Sequence, residues 1–326
     1  MDKDGILNNT RREAIPVAVI GAGIMGHGIA QVFALAGHQV RLFDPNPEVL
    51  ALAKQRVRSS LDSFVQVGMV TEPDARRCLD NIIPHPELAS ACQGAGLVIE
   101  AAPEKMQLKQ DLFAQIEPLV GREAVLASNT SALAISRVGE GLAEPGRFLG
   151  VHFWNPPQVI PCVEVIPGER TEPEVCDRVV DLLKGAGKEP VRLKQDIPGF
   201  LGNRLQHALQ REALALVEQG VAEPEDVDRV VRYGFGLRLA LMGPLERADL
   251  GGLDTTLAVQ RYLLPMLDNR TGPSRPLVDQ VEQGRLGVKT GGGFYDWPQE
   301  KAAKRQAQRD RALLEIIKLT RDIEEA

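Results

Sequence analysis

Among the five histidines of this 326-residue chain, one stands in a setting suited to proton transfer. His152 falls near the end of an apolar run that leads into Asn155, Pro156 and Pro157, and Glu164 follows twelve positions later on the run that returns from that turn. A strand, a turn and a second strand over 148–167 predict a fold-back that brings the carboxylate beside the imidazole. A glutamate bonded to one ring nitrogen fixes the tautomer, and it stabilises the imidazolium formed when the other nitrogen accepts a proton. That is the equipment of a general base, which contributes roughly 10² to 10⁴ in rate. Spacing alone also fits a plainer reading, a core histidine satisfied by a local polar group. The other four lie in a glycine loop (His27), beside a turn (His38), in PHPEL (His85) and inside an amphipathic helix (His207).

A base needs a substrate held against an acceptor of electrons, and the segment 16–44, PVAVIGAGIMGHGIAQVFALAGHQVRLFD, predicts one. Val17 to Ile20 read as a strand, Ile24 to Leu35 as a helix and Gln39 to Phe43 as a second strand. Between strand and helix stand Gly21, Gly23 and Gly26, spaced G-x-G-x-x-G: one for a tight turn, one for close approach to a pyrophosphate, one for helix–strand packing. The helix start, with Ile24 and Met25 in its first turn, would then face a diphosphate. Asp44, at the end of the second strand, suits the ribose hydroxyls of NAD and would repel a 2′-phosphate, so NAD is expected in preference to NADP. An ordinary βαβ turn with incidental glycines is the alternative.

Along the rest of the chain, strands alternate with helices. Residues 47–82 read as helical, with Leu50, Leu52, Val57, Leu61 and Phe64 on one face and a break at Gly68. Ile82 and Ile83 begin a short strand, 94–102 read as a buried strand, 104–119 as a helix, and 124–127 as a strand ending in the polar tip Ser128, Asn129, Thr130, Ser131. A helix over 173–185 and a strand over 189–193 follow. This order predicts an α/β fold with an N-terminal Rossmann-like, doubly wound parallel sheet. Asp196 to Gly199 form a breaker, after which strands largely give way to helices, beginning with Phe200–Glu218 stopped at Gly220 and then Glu223–Arg232. The expected organisation is therefore an NAD-binding domain over 1–195, an all-helical domain over 196–298 and a charged helical tail over 299–326. The tail, with Leu313, Leu314, Ile317 and Leu319 as its main apolar positions, is expected to dock on its own domain or on a subunit partner.

Hydrophobic residues make up 44%, charged residues 25%, and the net charge is -6, which argues against a nucleic-acid or anionic-membrane surface. Cys78, Cys92, Cys162 and Cys176 show neither C-x-x-C nor metal-ligand spacing, so no metal site is expected and free thiols in a reducing compartment are. Residues 1–14 read as a loose polar arm without a signal-like apolar core, and there is no run of about 18 apolar residues. A soluble cytoplasmic enzyme is expected.

Six motifs, in this order, resemble the 3-hydroxyacyl-CoA dehydrogenase family across nearly the whole chain. They are GAGIMGHGIAQVFALAGHQVRLFD, IEAAPEKMQLKQDLF, SNTSAL, VHFWNP with Glu164, DIPGFLGNRL, and GVKTGGGFYDW. The resemblance implies an NAD-binding Rossmann domain, a helical domain that makes a homodimer, and an active site in the cleft between them. It further implies that His152 is the catalytic base and Glu164 its partner. Ser131, Asn203 and Asn155 match substrate-side positions, and Glu104 and Lys109 match cofactor-side positions. Local roles for the last five, as caps, turn residues or a solvated helical pair, are the alternatives. The implied reaction is NAD-dependent oxidation of a short-chain (S)-3-hydroxyacyl-CoA, of the kind used in fatty-acid metabolism. Yet Pro161 and Cys162 stand where acyl-CoA enzymes usually have Lys and Leu. In this, the chain is similar to the branch holding lambda-crystallin and L-gulonate 3-dehydrogenase, so a free 3-hydroxy acid such as L-gulonate or L-carnitine, or an idle NAD-binding structural protein, are the rival readings.

Overall fold

The computed structural model describes residues 14–324, so the expected N-terminal arm lies, except for its last residue, outside the described residues. Two compact units form: residues up to Asn203 together with Asp310–Ile317, and Arg204–Arg309 with the residues from Lys318 on.

The first unit is built on one eight-stranded sheet: β1 (Val17–Ile20), β2 (Val40–Phe43), β3 (Ile82–His85), β4 (Leu97–Glu100), β5 (Val125–Ser128), β6 (Phe148–Phe153), β7 (Cys162–Pro167) and β8 (Glu189–Arg192), in the order β3-β2-β1-β4-β5-β6-β7-β8. All neighbours are parallel except β6 and β7, which run antiparallel because only the short NPP segment joins them. The central strands β1, β4, β5 and β6 are buried at every position because both faces are covered, and their residues are apolar except Glu100, Ser128 and His152. Val17 and Val19 of β1 enter one core with Ile29 and Phe33 of helix α1 (Gly26–Leu35), while Ala18 and Ile20 enter a second with Phe113 and Leu126.

The helical stretch expected over 47–82 is two helices, α2 (Pro47–Gln66) and Glu72–Asn81, separated at Gly68, whose φ is 74°. Asn46 and Thr71 cap them by accepting from the amides of Glu48 and Asp74. Leu50, Val57, Leu61 and Phe64 are buried, but Leu52 is 45% exposed. It stands about 200° round the helix from Leu50, so the expected stripe holds without it. The helix expected from Phe200 begins instead at Gly202, because Phe200 takes a left-handed φ of 52° directly after Gly199 at 77°.

Leu314 and Ile317 of the C-terminal helix Gln299–Glu324 are buried with Phe64 and Val159 of the sheet-bearing unit. Through Leu314 and Ile317, this segment of the tail therefore docks on the apolar end of α2. In that helical unit, between residues 204 and 297, Ala215 is the one buried apolar residue among the described residues.

Candidate active site

The antiparallel pairing of β6 and β7 places His152 directly opposite Glu164, so both side chains share one face of the sheet. Nδ1 of His152 lies 2.7 Å from Oε2 of Glu164, and both residues are buried. The other carboxylate oxygen accepts from the amides of Leu201 at 2.9 Å and Gly202 at 3.0 Å. The left-handed pair Gly199 and Phe200 turns the chain so that these amides meet the carboxylate. Burial pushes the Glu164 carboxyl upward, but the His152 hydrogen bond, the amides of Gly202 and Leu201 and the charge of His152 outweigh it and hold the group below its ordinary 4.5. Trp154 and Phe200 flank the imidazole, with ring centroids 5.1 and 5.6 Å away. A Cβ on Gly202 would lie 2.1 Å from Trp154, so only glycine admits the indole there. With Nδ1 engaged, Nε2 is the nitrogen left to accept a proton.

Asn203, the next residue, donates from Nδ2 to the carbonyl of Ser131 at 2.7 Å. The amide of Ser131 in turn donates to Glu104 Oε1 at 2.9 Å, as do the amide of Ala132 and the hydroxyl of Thr130. Burial raises the Glu104 carboxyl, but the Thr130 hydroxyl, Lys109 and the amides of Ala132 and Ser131 bring it below its ordinary value. Lys109 is fully buried: its ammonium donates to Glu100 at 2.6 Å and to the Ala102 carbonyl at 3.2 Å, and stands 3.6 Å from Glu104. Ser128 donates to the second oxygen of Glu100 at 2.6 Å. Thus Ser131, Asn203, Glu104, Lys109, His152 and Glu164 are linked through hydrogen bonds, the backbone of the helix start at Leu201–Asn203 and the Lys109–Glu104 ion pair. Asn155 is exposed three residues beyond His152, and among the described residues its side chain makes no hydrogen bond. Nearby, Asn129 accepts from the amide of Phe153 at 2.9 Å and ties the end of β5 to β6.

The glycine loop has the shape a dinucleotide needs. Gly21 has φ 105°, and a Cβ there would meet the Ala101 carbonyl at 2.7 Å; a Cβ on Gly26 would lie 1.6 Å from the Gly21 carbonyl. Gly23 has nothing within 4 Å, leaving its backbone open to an approaching diphosphate. Ile24 is 68% exposed in that loop, and Met25 is the N-cap of α1, packed at the margin of the first core. Asp44 accepts from the amides of Ala22 at 2.8 Å and Asn46 at 2.9 Å, which fixes its carboxylate at the tip of β2. These residues fit an NAD.

Residues 16–197 match the family model described as 3-hydroxyacyl-CoA dehydrogenase, NAD binding domain, and 199–297 match the C-terminal domain of the same enzymes. The chain belongs to the 3-hydroxyacyl-CoA dehydrogenase family. It is 38% identical to a probable 3-hydroxybutyryl-CoA dehydrogenase of Bacillus subtilis, over 87% of this chain and 98% of that one. It is 34% identical to 5-formyl-3-hydroxy-2-methylpyridine 4-carboxylate 5-dehydrogenase of Mesorhizobium japonicum, over 93% of this chain and 97% of the other. A crystal structure of an enzyme of that same pyridine activity, described as an NAD+ dependent dismutase, superposes with a TM-score of 0.88 at 33% identity, covering 94% of this chain and 99% of that one.

Within this 3-hydroxyacyl-CoA dehydrogenase family member, an NAD-dependent oxidoreductase, several groups around the site escape a reading by motif. Leu201 and Gly202 act through backbone amides, which no side-chain pattern reveals. Glu100 and Ser128 had a visible sign: a carboxylate inside the apolar strand LVIE must find a cation, and Lys109 lies one helical start away.

Proposed function

We propose that this dehydrogenase oxidises the 3-hydroxyl of a short-chain (S)-3-hydroxyacyl-CoA to the 3-oxo thioester. The observation that carries the reading is the buried His152–Glu164 pair, with Glu164 held ionised by two amides. Bound NAD supplies the hydride acceptor. Nε2 of His152 takes the hydroxyl proton, and Glu164 stabilises the imidazolium that results. Ser131, Asn203 and Asn155 orient the substrate oxygens and stabilise charge developing on them. Gly21, Gly23, Ile24, Met25 and Gly26 cradle the diphosphate, Asp44 takes the ribose, and Glu104 with Lys109 holds the Ser131 turn and the Ala102 carbonyl at the cofactor edge. Four free cysteines accord with a reducing, cytoplasmic setting; among the described residues no helix is long and apolar enough to cross a membrane.

A second reading is favoured by the nearly full-length likeness to the pyridine carboxylate enzyme: a substrate without CoA, carrying its own carboxylate. Free 3-hydroxy acids fall in the same class. NAD reduction with (S)-3-hydroxybutyryl-CoA, 3-hydroxybutyrate, L-gulonate, L-carnitine and 5-formyl-3-hydroxy-2-methylpyridine 4-carboxylate at matched concentrations decides. Turnover of the thioester alone supports the first reading. Turnover of a free acid alone overturns it in favour of the second.

The helical unit, we infer, pairs with a second copy of the chain. Tyr233, Leu237, Leu245, Leu250 and Tyr262 are each more than two-thirds exposed, more apolar surface than a lone helical unit keeps in water. A light-scattering mass of one 35.5 kDa chain would contradict this.

A further inference from the structure

The match to the family's C-terminal domain ends at residue 297, so the helix Gln299–Glu324 lies beyond that domain. Its segment Asp310–Ile317 is nonetheless part of the sheet-bearing unit. Leu314 and Ile317, 1% and 7% exposed, form a small separate core with Phe64 of α2 and with Val159. Val159 is the informative member, because it stands seven residues after His152 and four after Asn155 in the loop that joins β6 to β7.

That loop is held from other sides as well. Lys188 donates to the carbonyls of Pro157 at 2.7 Å and Ile160 at 3.0 Å. The amides of Val159 and Ile160 both return to the Pro156 carbonyl, at 3.0 and 2.9 Å. Pro157 and Gln158 press so closely on Gly28 of α1 that a Cβ there would lie 2.6 and 2.3 Å from them. The apolar side of the loop is covered through Val159, and the C-terminal helix supplies part of the cover beside Phe64 of α2. Uncovering Val159 exposes it to water and frees that side of the loop to shift.

We propose that Leu314 and Ile317 are positioning residues: by covering Val159 they fix the loop that follows His152 and carries Asn155, and so set how the substrate is placed. This rests on the reading of His152 and Asn155 given above. Placement matters at this scale, since a displacement of about 1 Å at a reacting centre costs on the order of 10²-fold in rate.

The test uses the full-length chain carrying Leu314→Ser and Ile317→Ser, assayed with the substrate the unmodified enzyme turns over best. We expect kcat/KM to fall about tenfold or more while NADH affinity, read by fluorescence, stays within about twofold. The conservative pair Leu314→Met and Ile317→Val should restore kcat/KM. A helix that merely adds stability would lower the thermal midpoint and leave kcat/KM unchanged wherever the variant is folded, and that result overturns the proposal. If the serine variant does not fold, Val159→Ala decides from the loop side, by the same loss with intact NADH binding or by its absence. His152→Ala is assayed in parallel. Retained turnover there overturns the reading of the site and the proposal with it, whereas lost turnover beside unchanged tail variants overturns the proposal alone.

Discussion

Asn203 donates to the carbonyl of Ser131 across 72 positions of chain, which ties the start of the helix Gly202–Glu218 to the polar tip that follows β5. The same helix start supplies the amides that hold Glu164. Asn203 therefore joins the proton-transfer pair to the Ser131 turn. Asn203→Ala is expected to cost about 1 kcal/mol of stability, the net value of one hydrogen bond, measured by urea unfolding. Its kcat/KM should fall further than that loss of stability explains, and equal losses would make the residue a structural tie only.

The carboxylate of Glu164 is held below its ordinary value, so its hydrogen bonds stabilise the fold above about pH 4.5 and are lost as the pH drops through the lowered value. Glu164→Gln removes that titration. The variant's thermal midpoint should fall less between pH 7 and acid than that of the unmodified chain. Its kcat should drop on the order of 10²-fold, since an amide does not stabilise the imidazolium. A parallel acid dependence in both proteins would count against the sign of this coupling.

Lys109 and Glu100 are an ion pair with no exposed side-chain surface. Lys109→Met leaves Glu100 buried without its cation and is expected to cost about 3–5 kcal/mol. Adding Glu100→Gln should recover most of that loss, because the amide no longer carries an uncompensated charge. Chemical denaturation of both variants gives the answer, and a double variant as unstable as the single would place the defect in packing instead.

The second and third glycines of the motif, Gly23 and Gly26, predict opposite failures. Gly26→Ala puts a methyl group 1.6 Å from a backbone oxygen, so the fold itself must shift and the thermal midpoint falls. Gly23→Ala meets nothing within 4 Å in the protein, so stability should hold while NADH affinity falls about tenfold or more, or about 1.4 kcal/mol. Calorimetry with NADH on each variant separates the two. Unchanged affinity in Gly23→Ala would show that the diphosphate does not approach there.

The parallel part of the sheet was legible because its central strands are short, mostly apolar runs closed by glycine, proline or a polar tip, and the pairing of His152 with Glu164 was legible because twelve residues with a double-proline turn leave little choice of partner. What escaped the sequence depends on backbone geometry or on distance along the chain. Phe200 reads as the first residue of a helix, since nothing about phenylalanine announces a left-handed φ. Leu52 fits an apolar stripe in a list of residue types but falls off it once the helix turns. Leu314 and Ile317 show that the tail has an apolar face, yet their partner Phe64 lies some 250 positions earlier.

The hairpin of β6 and β7 also bears on how the chain acquires its chemistry during folding. Closing the twelve-residue interval between His152 and Glu164 costs less chain entropy than closing the 72 positions between Ser131 and Asn203, by about 1.6 kcal/mol if both behave as flexible loops. The acid–base pair is thus a local contact between paired strands, whereas its link to Asn203 requires the sheet and the helix start to come together. Assembling the proton acceptor therefore costs the unfolded chain less entropy than assembling the contact that orients a substrate beside it.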